Sequence, residues 1–214
     1  MSGVCRSLVG LLLVSTAMPL FAQDRARTLD DFQSAADWTV LTSNQVSGAL
    51  RAVDGAAGRA LCLDYDFNGV SGYVGLQRDL PIEYPADYAF SFQLRGDSPA
   101  NDLQFKLVDA SGDNVWWVNR PRYEFPAQWT QVVYKQRHVS RAWGPAPDPA
   151  LRRSQKLEFT ISNSAGGKGS VCFDSLAFEP RVPDDGSALA ATATTSAAGG
   201  NPRTRRYASI RSRR

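Results

Sequence analysis

Between Trp38 and Phe178 no stretch of this chain sustains the i, i+3, i+4, i+7 apolar spacing of an amphipathic helix. Short alternating, β-branched or aromatic runs recur there instead, separated by Gly, Asn, Asp and Pro. They are WTVLTS, GALRAVDG, ALCLDYDF, YVGLQRDL, YAFSFQLRG, DLQFKLVDA, NVWWVNR, WTQVVYKQR, KLEFTISN and SVCFDSLAFE. Ten such runs predict an all-β domain, an antiparallel sandwich or a barrel. In YAFSFQL the residues Tyr88, Phe90, Phe92 and Leu94 share one face, and Ala89, Ser91 and Gln93 the other, so one side of that strand is core. The run Ser111, Gly112, Asp113, Asn114 predicts a hairpin turn, because Gly and Asn tolerate positive φ. NSAGGKGS (Asn163 to Ser170) is expected to join the last two strands in the same way.

The boundaries of this body follow from what flanks it. Arg6 followed by the apolar run LVGLLLVSTAMPLF reads as an export signal over residues 1–22, too short and too poorly flanked for a membrane span, with cleavage after Ala22. Beyond Pro180 the composition shifts to Ala, Thr, Ser and Gly and then to NPRTRRYASIRSRR, too poor in apolar residues to build a core. The expected domain is therefore residues 28–180, with residues 181–214 as disordered linker or the start of a second module. The protein is expected to be secreted or periplasmic, and monomeric.

Charge and reactive groups exclude several classes of function. The chain carries +3 overall, but its ends hold the excess arginine, leaving residues 28–180 at −4. A mildly acidic domain is a poor electrostatic partner for nucleic acid. His138 is the single histidine and no nucleophile motif surrounds it; Asp64, Asp66, Asp109, Asp113 and Glu124 show no spacing that singles out a catalytic pair. Cys5 would leave with the signal, so Cys62 and Cys172 remain, either as a bridge or as two buried thiols.

Aromatic residues are concentrated where the chemistry is otherwise silent. Trp116, Trp117, Tyr123, Phe125, Trp129, Tyr134 and Trp143 fall within 28 residues that also hold Arg120, Arg122, Arg137, His138 and Arg141. Sugars present apolar C–H faces that stack on rings and hydroxyls that need planar donors and acceptors, and this mixture supplies both. Trp116 and Trp117 are adjacent on a strand and point to opposite faces, so at least one is expected in the core. Trp143 lies in a Gly- and Pro-bounded segment, RAWGPAPDP, suited to presenting a ring. The candidate carbohydrate site is Trp143, one of Trp116 and Trp117, and polar neighbours among Arg120, His138 and Arg141.

The segments LDDFQSAADWTV, DLQFKLVDASGDNVWWVNR, FPAQWTQVVYKQRHVSRAWGP and VCFDSLAFE together resemble the galactose-binding-like jelly-roll carbohydrate-binding modules attached to bacterial glycoside hydrolases. The resemblance implies a non-catalytic module that docks on polysaccharide or oligosaccharide, an accessory to a glycan-active protein. It also implies a structural Ca²⁺ held between the first and last strands, for which the positional candidates are Asp30 or Asp31 and Asp174; the family's usual glutamate beside the opening Phe is Gln33 here. In the tail, ALAATATTSAAGGNP is similar to the opening of a discoidin (coagulation factor 5/8 type C) module and implies a truncated second module. The competing expectation is a structural or adhesion sandwich that binds no sugar.

Overall fold

The computed structural model describes residues 26–181; the leader expected over residues 1–22 and the tail with its discoidin-like stretch lie outside the described residues. In chain order the strands are β1 (Arg27–Asp30), β2 (Thr39–Thr42), β3 (Ser47–Asp54), β4 (Arg59–Asp66), β5 (Tyr73–Glu83) and β6 (Asp87–Asp97). They continue with β7 (Asp102–Val108), β8 (Val115–Arg120), β9 (Thr130–Lys135), β10 (Ser140–Trp143), β11 (Arg153–Ser162) and β12 (Lys168–Arg181). One sheet runs β3-β4-β12-β6-β9, with β1 alongside the far half of β12; the second runs β10-β8-β7-β11-β5-β2. All pairings are antiparallel, and the two sheets pack as a jelly-roll β-sandwich. Among the described residues no helix is long and apolar enough to cross a membrane.

Strand alternation builds the core. Tyr88, Phe90, Phe92 and Leu94 of β6 are all buried, and they meet Leu103, Phe105 and Leu107 of β7 and Leu157, Phe159 and Ile161 of β11 from the opposite sheet. Phe92 sits at the centre, edge-on to Phe159 at 4.9 Å and to Tyr134 at 5.5 Å. Each fully buried ring of this kind contributes about 1.5–3 kcal/mol of apolar transfer. The wetted face anticipated for β6 is the outer face of the first sheet, where Arg51 forms a bidentate pair with Asp64.

Buried or clustered polar side chains hold two of the connections. The β7–β8 turn is the expected hairpin, and Asp109 holds it by accepting hydrogen bonds from the Ser111 hydroxyl (2.7 Å), the Gly112 amide (3.0 Å) and the Asn114 side chain (2.7 Å); Gly112 takes φ +82°. The NSAGGKGS segment differs from expectation: it carries the chain from β11 in the second sheet to β12 in the first, so it is a crossover and not a hairpin. Asn101, fully buried, replaces the missing ladder by accepting from the amides of Ser164, Ala165 and Gly166. Cys62 of β4 and Cys172 of β12 stand opposite each other in register and are joined by a disulfide.

Candidate functional site

Core-facing side chains of the second sheet alternate with an outward set, and pairing register brings that set into rows. Trp117 of β8 stands opposite Lys106 of β7, Lys106 opposite Glu158 of β11, and Glu158 opposite Gln77 of β5. This row forms the floor of an open cleft of about 520 Å³ on the outer face of the sheet. Lys106 Nζ lies 3.7 Å from Glu158 Oε2, Gln77 Nε2 donates to Glu158 Oε1 at 2.8 Å, and Lys156 Nζ donates to Gln77 Oε1 at 3.3 Å. Burial pushes the Lys106 ammonium pKa down, while the adjacent Glu158 carboxylate opposes that shift and keeps the charge compensated. The floor is therefore polar, with two lysines, Lys106 and Lys156, against one carboxylate, Glu158.

Aromatic rings border this polar floor. Trp143 is 49% exposed and Tyr73 43%, among the few large apolar side chains left open to solvent in the described residues. Trp117 supports Trp143 edge-on at a centroid distance of 5.7 Å. The Lys106 ammonium lies 5.6 Å from the Tyr73 ring centroid and 5.8 Å from that of Trp143, so a single cation sits between the two rings. β10 brings Trp143 here: it pairs with β8 along Ser140 to Trp143, and an irregularity between Arg141 and Trp143 re-aims the last residue. Gly144 follows at φ +129°, and a Cβ there would collide with the Asn114 side chain, so the chain turns tightly against the β7–β8 hairpin directly after the tryptophan.

The six residues expected to bind carbohydrate fall in different places. Trp117 and Trp143 share the cleft. Trp116, at 6% exposure, points into the core and donates its indole N–H to the Pro149 carbonyl at 2.7 Å. Arg141 stands opposite Trp116 and lines a separate groove with Tyr84 and Pro149, its guanidinium bonded to the Gly144 carbonyl. Arg120 lies over the Tyr134 ring at 5.6 Å, and His138 Nδ1 accepts from the Lys135 amide at 3.2 Å; both belong to the edge between β8 and β9. Tyr73, Gln77, Gln104, Lys106 and Glu158 escaped sequence reasoning, although their signal is simple. They are the outward positions of strands whose alternate residues are core.

The aspartates expected to hold calcium are engaged by the protein itself. Asp30 accepts from the Phe32 amide and from Trp38 Nε1 (2.9 Å) and forms an ion pair with Arg78. Asp31 accepts from the Gln33 amide at 3.2 Å. Asp174, fully buried, accepts from the Ala57 amide at 2.9 Å and the Ser175 hydroxyl at 3.0 Å. A guanidinium already neutralises Asp30, and among the described residues no three potential metal-ligating side chains stand together. The three carboxylates therefore do not form a calcium site of side chains alone.

No protein-family model and no curated protein matches the chain. Among solved structures it is similar to a family 11 carbohydrate-binding module from Clostridium thermocellum in complex with a β-1,3-1,4-mixed-linked tetrasaccharide. The two are 19% identical over 74% of this chain and 97% of that one, with a TM-score of 0.60. It is also similar to the family 11 module of a cellulosomal cellulase of Clostridium thermocellum, at 16% identity over 75% and 97% of the two chains and a TM-score of 0.60. At such identities the likeness is one of fold.

Proposed function

We propose that the chain is a non-catalytic carbohydrate-binding module and that the cleft on the outer face of its second sheet is the binding site. The observation that carries this reading is the exposure of Tyr73 and Trp143 on either side of Lys106, above a floor of Gln77, Lys106 and Glu158. Large rings left in water serve no packing purpose, and here they border a trough whose polar groups can bond hydroxyls. The Lys106–Glu158 pair and the neutral Gln77 beside it suit a neutral glycan. The open shape suits an extended glycan rather than a small enclosed ligand.

The structural neighbours support this reading, since one of them is described in complex with an oligosaccharide. They extend it to an accessory role in a larger glycan-active protein. The Cys62–Cys172 disulfide supports an exported protein, because such bonds persist in oxidising compartments. Native affinity electrophoresis against a panel of soluble polysaccharides, including mixed-linked β-glucan, tests the proposal. Retardation by at least one neutral glycan, abolished by Trp143→Ala together with Tyr73→Ala, is expected. If no polysaccharide retards the wild-type protein, the sandwich is structural or adhesive.

A further inference from the structure

We infer that the Gln33 side-chain amide takes the place of a structural cation at the turn between β3 and β4, so that this corner of the sandwich is closed without metal. Gln33 Nε2 lies within hydrogen-bond distance of three backbone carbonyl oxygens: Asp31 at 2.9 Å, Arg59 at 3.0 Å and Ala57 at 3.2 Å. The latter two come from a segment 24 and 26 residues away in sequence. Three carbonyl oxygens converging on one point repel one another unless something electropositive sits among them, and backbone carbonyls are ligands a hard cation accepts. Here an amide nitrogen occupies the point, sharing two hydrogens among three acceptors.

The surrounding structure is shaped to the amide. Gln33 Oε1 accepts from the Arg59 amide at 3.0 Å, which fixes which end of the side chain faces the carbonyls. Gly58 adopts φ +71°, and a Cβ there would lie 3.0 Å from Gln33 Oε1, so the turn closes directly onto the side chain. Asp174 seals the other side of the same turn through the Ala57 amide, and a Cβ at Gly55 would come within 2.6 Å of its Oδ2. Phe32, buried and at φ +53°, anchors the backbone immediately before Gln33. The position is therefore held by the preceding residue and from across the chain.

Replacing Gln33 by Glu tests this, because it exchanges the amide nitrogen for a carboxylate oxygen at nearly constant shape. Thermal unfolding of the full, oxidised chain would be followed in EDTA and in millimolar CaCl₂. Wild-type Tm is expected to be the same in both. The Gln33→Glu variant is expected to melt about 5 °C lower in EDTA and to recover most of that loss in CaCl₂, since a carboxylate repels the three carbonyls and a cation between them relieves that repulsion. A wild-type Tm that falls in EDTA and returns with calcium would overturn the inference, as would a Gln33→Glu protein indifferent to calcium. Should that variant not fold in either buffer, Gln33→Met supplies the test. Loss of the donor is expected to lower Tm by a few degrees irrespective of calcium, and an unchanged Tm contradicts the role given to the amide.

Discussion

Trp116 and Trp117 show how far one residue's place on a strand decides its role. Trp116 faces the core and truncating it to Ala should cost about 3–5 kcal/mol of stability, visible as a lower urea midpoint. Trp143, half in solvent, should be removable with stability changed by less than about 0.5 kcal/mol, while glycan affinity falls by about thirtyfold, or about 2 kcal/mol. The opposite orientation of the two adjacent tryptophans was legible from the sequence, since successive strand side chains alternate. Which of them faces outward was not, because Trp116 alternates with Val118 and Arg120 and Trp117 with Val115 and Asn119, one apolar and one polar residue on each face.

At the same scale, His138 carries a pH dependence. Its pKa is depressed below the ordinary 6.5 by burial, and by Arg120, Arg137 and Lys135 nearby. Its neutral Nδ1 is also needed to accept from the Lys135 amide. The unfolded chain therefore binds the proton first as pH falls. This contribution to stability is intact above about pH 6.5 and is lost progressively down through the lowered folded-state value. His138 is the chain's single histidine, so its imidazole proton signals can be titrated without assignment. A folded-state value at or above 6.5 would contradict this account.

At the scale of elements, the longer strands were legible because their alternation persists for six residues or more, as in β6 and β7. β10 was not, for its four residues, SRAW, carry no alternation of their own. It lies in RAWGPAPDP, where Gly and Pro read as loop, and only its pairing with β8 makes it a strand. That missed strand is the one that delivers Trp143 to Trp117. Likewise, the Lys106–Glu158 pair depends on β7 lying beside β11, two strands far apart in sequence, and no local pattern announces it. The disulfide spans 110 residues between β4 and β12, a long loop to close. Replacing both cysteines with Ala should lower stability by about 4 kcal/mol in urea unfolding. A loss under about 1 kcal/mol would show that register alone holds these strands.

At the scale of the whole molecule, the two sheets divide the work. The first sheet joins β1, β4, β6 and β12 around the disulfide, and its outer face carries the Arg51–Asp64 pair. The second sheet turns its outer face into a trough bordered by rings, which can be altered without touching the core. If stacking and hydrogen bonding to this floor carry glycan binding, affinity should change less than about twofold as ionic strength rises from about 10 to about 150 mM, a range over which charge-driven binding weakens strongly. Carbohydrate binding in this trough is tested most directly by isothermal titration of the wild-type protein and of Tyr73→Ala/Trp143→Ala with the polysaccharide that retards the wild type most in native gels. Saturable binding by the wild type, reduced by more than about thirtyfold in a variant of unchanged Tm, is the predicted result. Equal binding by the two proteins, or no binding by either, would contradict the assignment of this cleft as a carbohydrate site.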